Sequence, residues 1–175
     1  MTQELSKSEL STPYLCGLVA DLMLKNQLKL VTAESCTGGL IAATCTDLAG
    51  SSAWFERGFV TYSNEAKTEL LGVEAGLLLS AGAVSEAVAR AMVLGALANA
   101  HAQVALAVTG LAGPTGGSPA KPVGTVCFGF AVPGQLLTEQ RHFAGDRAGV
   151  RAASVQHALR RLGELLDSTP LAVPR

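Results

Sequence analysis

Ser35 is the residue from which chemistry can first be read. It follows an apolar stretch, residues 29–33, that reads as a buried strand, and it precedes Gly38, Gly39 and a helical stretch from Leu40 to Leu48. In open α/β sheets, ligands collect at the carboxyl ends of strands. The helix after such an end is expected to offer unpaired backbone N–H groups and the positive end of its dipole. Two uses fit. The N–H groups bind phosphate, or they hold the oxyanion formed when Ser35 attacks a carbonyl. A capped helix start with no chemistry is the plain alternative. Cys36 is a second nucleophile by type, since a thiolate at a helix start is activated. Adjacent side chains on one turn do not both face one carbonyl, however.

A serine nucleophile needs a base. The histidines are His101, His142 and His157, and none adjoins a strand-end loop rich in other polar groups. Beyond Lys29 the chain has only Lys67 and Lys121. Lys67 follows Thr61-Tyr62-Ser63-Asn64, again at the exit of an expected strand. Burial beside apolar groups lowers a lysine pKa and frees the amine, so a Ser–Lys dyad is chemically sound. The alternative is a solvated helix lysine paired with Glu65 or Glu69. Tyr62 has the means to orient the lysine, donate to a substrate or stack on a ring.

Residues 109–118 form a loop rich in glycine, with Thr109, Gly113 and Gly116 among its members. Such a loop exposes N–H groups to a ligand. It contains no Gly-Lys-Ser/Thr and opens no helix, so it is neither a Walker loop nor a dinucleotide fingerprint. Arg147 and Arg151 lie four residues apart on one expected helix face. They form either a phosphate clamp or a solvated face with ion pairs.

The elements that must position these groups follow from pattern. Pro13 suits the first turn of a helix, and Leu15, Leu18, Val19, Leu22 and Met23 follow at helical spacing. A second strand is expected over Phe59–Tyr62, then a short helix capped by Asn64 and ended by Gly72. Ser85 caps an alanine-rich helix running to about His101. Residues 104–108 are apolar throughout, which points to a strand buried on both faces. Residues 123–132 and 137–143 flank Pro133-Gly134 as a hairpin. Asp146 caps a last helix with Val150, Val155, Leu159, Leu162 and Leu166 on its apolar stripe. Strands alternating with helices, then a hairpin, imply an α/β protein with a mostly parallel sheet and one antiparallel strand. The 175 residues fit one domain over 11–167, with a flexible N-terminus at 1–10 and a tail at 168–175.

Composition narrows the function. Hydrophobic residues make up 49% and charged residues 15%, so self-association as a homo-oligomer is expected. A net charge of -1 with no basic run argues against nucleic acid. No apolar run reaches the roughly 18 residues of a membrane span; residues 84–98 come closest, and Arg90 interrupts them. The first residues carry no apolar signal core. Cysteines 16, 36, 45 and 127 form no Cys-x-x-Cys pair, and the expectation is four reduced thiols in a cytoplasmic protein without metal or cofactor.

Several segments together resemble one family. They are Ala33-Glu34-Ser35-Cys36-Thr37-Gly38-Gly39, Val60-Thr61-Tyr62-Ser63-Asn64 with Lys67, and Gly82-Ala83-Val84-Ser85. Next come residues 109–117, Lys121-Pro122-Val123-Gly124-Thr125-Val126, and Gly145-Asp146-Arg147. The chain is similar in these, over about residues 12–165, to the CinA C-terminal domain family, whose stand-alone members are nicotinamide mononucleotide deamidases. The resemblance implies a three-layer α/β/α sandwich with a mixed, mostly parallel sheet of about five strands. It implies hydrolysis of nicotinamide mononucleotide to nicotinic acid mononucleotide and ammonia, with Ser35 as nucleophile and Lys67 as base. In that reading Tyr62 lines the ring pocket, and N–H groups of Cys36 and Thr37 hold the oxyanion. Gly113 and Gly116, with Arg147 or Arg151, hold the phosphate; Gly38, Asn64 and Thr109 complete the substrate-binding set. Arg57 departs from the family pattern and is expected at the pocket rim, and Cys127 stands where a larger residue is usual. Two rival readings stay open: a non-catalytic nucleotide-binding module, and a Ser–Lys amidase acting on another small amide.

Overall fold

The structure, a computed structural model, describes residues 10–168. The terminal segments expected at 1–10 and 168–175 lie outside it except for Leu10 and Ser168. Leu10 packs against the core, and its carbonyl accepts a hydrogen bond from Gln156 Nε2 at 2.9 Å.

In chain order the elements are α1 (Thr12–Lys25), β1 (Leu30–Glu34), α2 (Leu40–Thr46), a 3₁₀ turn (Ser51–Ala53) and β2 (Phe55–Val60). Then follow α3 (Asn64–Leu71), α4 (Ala75–Ala81), α5 (Glu86–Ala98) and β3 (Val104–Gly110). The chain continues through β4 (Thr125–Val132) and β5 (Gln135–His142) to α6 (Arg147–Ser168). The five strands form one sheet in the order β2-β1-β3-β4-β5. β2, β1 and β3 run parallel, and β4 runs antiparallel to both its neighbours. β4 is therefore the one strand that runs against the rest.

Alternation along each strand builds two cores. On one face Leu30, Leu106, Phe128 and Phe130 meet α1, α2 and α6 through Val19, Met23, Ile41, Leu159 and Leu162. On the other face Val31, Ala33, Ala105 and Ala107 meet α3, α4 and α5 through Leu71, Leu78, Val88, Met92 and Val93. Small residues on this second face let α5 approach the sheet closely. A Cβ on Gly129 would stand 2.6 Å from the Ala89 carbonyl oxygen. Gly95 does the same for α3, since a Cβ there would lie 1.9 Å from the Leu71 oxygen. Lys67 is carried on α3, so this close packing sets how deeply its amine reaches.

Several expectations are corrected. β2 begins at Phe55 and ends at Val60, four residues before and two residues short of the expected strand. It is an edge strand with exposed positions, and its polar Glu56 and Arg57 disguise it. Arg57 therefore sits mid-strand and donates to the Asn99 carbonyl and to Glu56, away from Ser35. The cap of α3 is Ser63, whose side chain accepts from Ala66 N–H at 3.0 Å; Asn64 is the first helical residue. Ser63 is extended, as a capping residue must be. α5 stops at Ala98, and α4 was not anticipated at all, its run of leucines offering no clear period. Leu18, on the apolar stripe of α1, stays exposed.

Candidate active site

Parallel register gathers the site. Glu34 pairs with Val60 on one side and with Val108 on the other. The pairing runs one residue further: Thr61 N–H donates to the Glu34 carbonyl at 2.8 Å, and Ser35 N–H donates to the Val108 carbonyl at 3.0 Å. Ser35 thus leaves β1 between the exits of β2 and β3. From β1 the chain passes to β2 across one face, and from β2 to β3 across the other. This divergence is the switch point at which open α/β sheets bind ligands.

Lys67 reaches Ser35 from α3. Its side chain is buried, with 1% of the residue exposed. Nζ lies 3.1 Å from Ser35 Oγ, 2.8 Å from the Thr61 carbonyl oxygen and 3.3 Å from that of Ser63. Burial lowers the Lys67 pKa from its ordinary value, against smaller opposing effects of Cys36 and Glu65. The Tyr62 carbonyl lies farther off at 3.5 Å, so the Ser35 hydroxyl and three successive backbone carbonyls surround the Lys67 amine. The solvated lysine paired with Glu65 or Glu69 is excluded by this burial. Ser35 itself keeps 8% of its surface exposed.

The N-terminal end of α2 corrects another expectation. Its N–H groups are occupied. The Glu34 side chain is buried and accepts from Gly39 N–H, Ile41 N–H and Ala42 N–H at 3.1, 3.0 and 2.8 Å. It also accepts from Thr37 Oγ1 at 2.7 Å. A carboxylate at a helix start both satisfies orphan donors and complements the dipole. The helix therefore has no vacant anion site along its axis. The donors nearest Ser35 that Glu34 leaves alone are the N–H groups of Cys36 and Thr37. Both lie near the Cys36 sulfur and draw its pKa down slightly, but burial dominates and pushes that thiol up to about 11. Burial thus opposes the activation expected of a thiolate at a helix start and disfavours Cys36 as rival nucleophile.

Two arginines approach from α6, whose start Asp146 caps through Gly149 N–H at 2.8 Å. Arg147 donates to the Tyr62 hydroxyl at 2.8 Å and to the Gly113 carbonyl at 2.9 Å. Tyr62 is 61% exposed and stands at the mouth of the site. Arg151, one turn on, donates from Nε to the Cys36 carbonyl at 3.1 Å and from Nη2 to the Thr37 carbonyl at 3.0 Å. Neither arginine forms the ion-paired solvated face.

The glycine-rich loop is anchored at its base. Gly113 has φ +83°, and a Cβ there would lie 2.6 Å from Val123, so only glycine fits. Gly116 is exposed on the outer part of the loop. Thr109 is buried and spends its hydroxyl on the Ala83 carbonyl at 2.9 Å, facing inward. Lys121 Nζ holds the loop to the Ala81 and Val84 carbonyls at 3.0 and 2.7 Å. Ser35, Lys67, Tyr62, Cys36, Thr37, Gly38, Gly113, Arg147 and Arg151 therefore lie in one connected set. Asn64 stays exposed on α3, and Thr109 and Gly116 make no hydrogen bond to the set.

Glu34 went unassigned at the sequence level, as did the carbonyls of residues 61 and 63. An acid four residues before the double glycine that opens α2 was the available signal for Glu34. Backbone carbonyls carry no signal in side-chain identity.

A three-layer α/β/α sandwich with a serine hydroxyl and a buried lysine amine at its switch point defines an α/β protein with a Ser–Lys site. Residues 14–166 match the CinA C-terminal domain model, and the chain belongs to that family. It is 61% identical over 133 residues to the nicotinamide-nucleotide amidohydrolase PncC of Enterobacter agglomerans, covering 73% of this chain and 81% of the relative. It is 54% identical over 134 residues to the nicotinamide-nucleotide amidohydrolase PncC of Escherichia coli K12, covering 76% and 81%. The crystal structure of the competence damage-inducible protein A from Klebsiella pneumoniae superposes with a TM-score of 0.88 at 43% identity, covering 91% of this chain and 99% of that one.

Proposed function

We propose that this chain is a nicotinamide-nucleotide amidohydrolase that converts nicotinamide mononucleotide and water to nicotinic acid mononucleotide and ammonia. The observation that carries the reading is the 3.1 Å approach of the buried Lys67 amine to Ser35 Oγ. The names of the amidohydrolase relatives support the substrate.

Lys67, as a free amine, takes the Ser35 proton while Oγ attacks the carboxamide carbon. N–H groups of Cys36 and Thr37 receive the oxyanion, and each such donor is worth about 2.7–4 kcal/mol in related sites. Lys67 returns the proton to the departing ammonia. Water then adds to the acyl-enzyme, Lys67 again taking its proton and passing it to Ser35 Oγ as the C–Oγ bond breaks, so that the acid leaves and both groups are restored. Tyr62 lines the ring pocket, with Gly38 and Asn64 around it. Arg147, with the loop around Gly113 and Gly116, faces the phosphate, and buried Thr109 supports the base of that loop through the Ala83 carbonyl. The step needs no redox change, since water and an amide exchange for an acid and ammonia.

The chain is proposed to work as a homo-oligomer in a reducing cytoplasm. Exposed Leu70, Leu79 and Leu94 and the four unpaired, buried cysteines support this. Among the described residues no helix is long and apolar enough to cross a membrane.

Ammonia release from nicotinamide mononucleotide by the wild type, set beside Ser35→Ala, tests the function. Release by the wild type alone is expected. Absence of release by the folded wild type would overturn it.

A further inference from the structure

The turn that carries Ser35 is gripped from two sides. Gly38 N–H donates to the Ser35 carbonyl at 3.0 Å and closes a four-residue turn. Glu34 fixes its far end through Gly39, Ile41 and Ala42. Between these fixtures lies the peptide that joins Cys36 to Thr37. Glu34 holds the Thr37 hydroxyl beside it but does not reach the peptide itself. The Cys36 carbonyl is held by Arg151, whose second bond falls on the next carbonyl along.

A trans peptide is planar, with its C=O and N–H pointing in opposite directions. Holding the Cys36 carbonyl toward α6 therefore aims the Thr37 N–H away from α6. The same bond polarises the peptide and strengthens its N–H as a donor, by about 10–30% for one bond in a chain of hydrogen bonds. The planar guanidinium fork suits two successive carbonyls, which a lysine ammonium does not reproduce.

We infer that Arg151 is a positioning residue that orients and polarises the 36–37 peptide as an oxyanion donor, and that the substrate phosphate falls to Arg147 instead. This inference rests on the Ser–Lys amidohydrolase reading. Arg147 differs from Arg151 in what it holds: one of its partners is the hydroxyl of an exposed side chain, which a ligand can displace. Arg151 has both its bonds on backbone that the nucleophile turn cannot give up.

The test measures kcat and KM for nicotinamide mononucleotide in the wild type, R151Q and R151K. The affinity for the same compound is measured by calorimetry with each change placed in the Ser35→Ala background. R151Q is expected to lose roughly 10²–10³-fold in kcat, the cost of one misaligned oxyanion donor, while its affinity stays near that of the parent. R151K is expected to recover part of that loss. Thermal unfolding of each variant separates misfolding from misalignment, and R151K alone carries the test if R151Q does not fold. A weakened affinity with kcat retained would make Arg151 a phosphate ligand and overturn the inference. Wild-type kcat in R151Q would overturn it too. Absence of turnover in the wild type would instead overturn the amidohydrolase reading, and this inference with it.

Discussion

The floor and the rim of the site are built from the same kinds of residue but used differently. At the floor, Glu34, Lys67 and Arg151 are charged by type, and all three direct most of their hydrogen bonds at backbone groups of the turns around Ser35. Glu34 and Lys67 are buried, and Arg151 is partly so. At the rim, Tyr62 and Arg147 are exposed and bind each other. The floor is committed before any ligand arrives. The rim holds bonds that a ligand can replace. Catalysis rewards the first arrangement because preorganised groups need no rearrangement as charge develops. Binding rewards the second, because an entering phosphate needs donors that can be released.

This contrast predicts where damage falls. Ser35→Ala removes the nucleophile and is expected to abolish ammonia release with the fold intact, as circular dichroism would confirm. Lys67→Ala should cost roughly 10²–10⁴-fold in kcat as lost general base. In the wild type, activity should fall as pH falls through an apparent pKa below the ordinary lysine value, because the base works only when neutral and burial lowers that pKa. A pH–rate profile that keeps the same acid limb in Lys67→Ala would break the assignment.

Glu34→Ala should damage stability and activity together. It strands three N–H donors at the start of α2, and one unsatisfied buried polar group costs about 1–3 kcal/mol. A shift of the denaturant midpoint to lower urea, with unchanged slope, is the expected readout. Unchanged stability would mean that the floor is not held as described.

Arg147→Ala tests the rim. Its loss should weaken binding of nicotinamide mononucleotide by about 10–100-fold, as for a lost charge-assisted hydrogen bond of roughly 1.5–3 kcal/mol. The kcat should change far less. A collapse of kcat with unchanged affinity would erase the distinction between rim and floor. The smallest effect concerns Cys36. With its pKa raised to about 11, the thiol should resist iodoacetamide near pH 7 in the folded protein and react on unfolding. Mass spectrometry of the labelled peptide checks this.

Much of this protein is determined by its sequence alone. Helix caps at Ser85 and Asp146, the glycine stop at Gly72 and the apolar stripe of α6 are local, and local chemistry reports them. The strands β1 and β3 are apolar enough to be read as buried, and β4 and β5 are legible as a hairpin. Ser35 and Lys67 stood out because each follows a strand exit, and the family resemblance singled them out as a pair.

Tertiary structure decided the rest. The edge strand β2 escaped because one exposed edge tolerates polar residues that break the pattern. The depth of Lys67 depends on how closely α3 approaches α5, which Gly95 permits and no local pattern reveals. The division of labour between Arg147 and Arg151 is also tertiary. Both stand on one helix face, one turn apart, and sequence treats them as equivalent. One turn of α6 carries the second arginine past the rim to the nucleophile turn, where it meets the carbonyls of residues 36 and 37 while Glu34 holds the start of α2 beyond them.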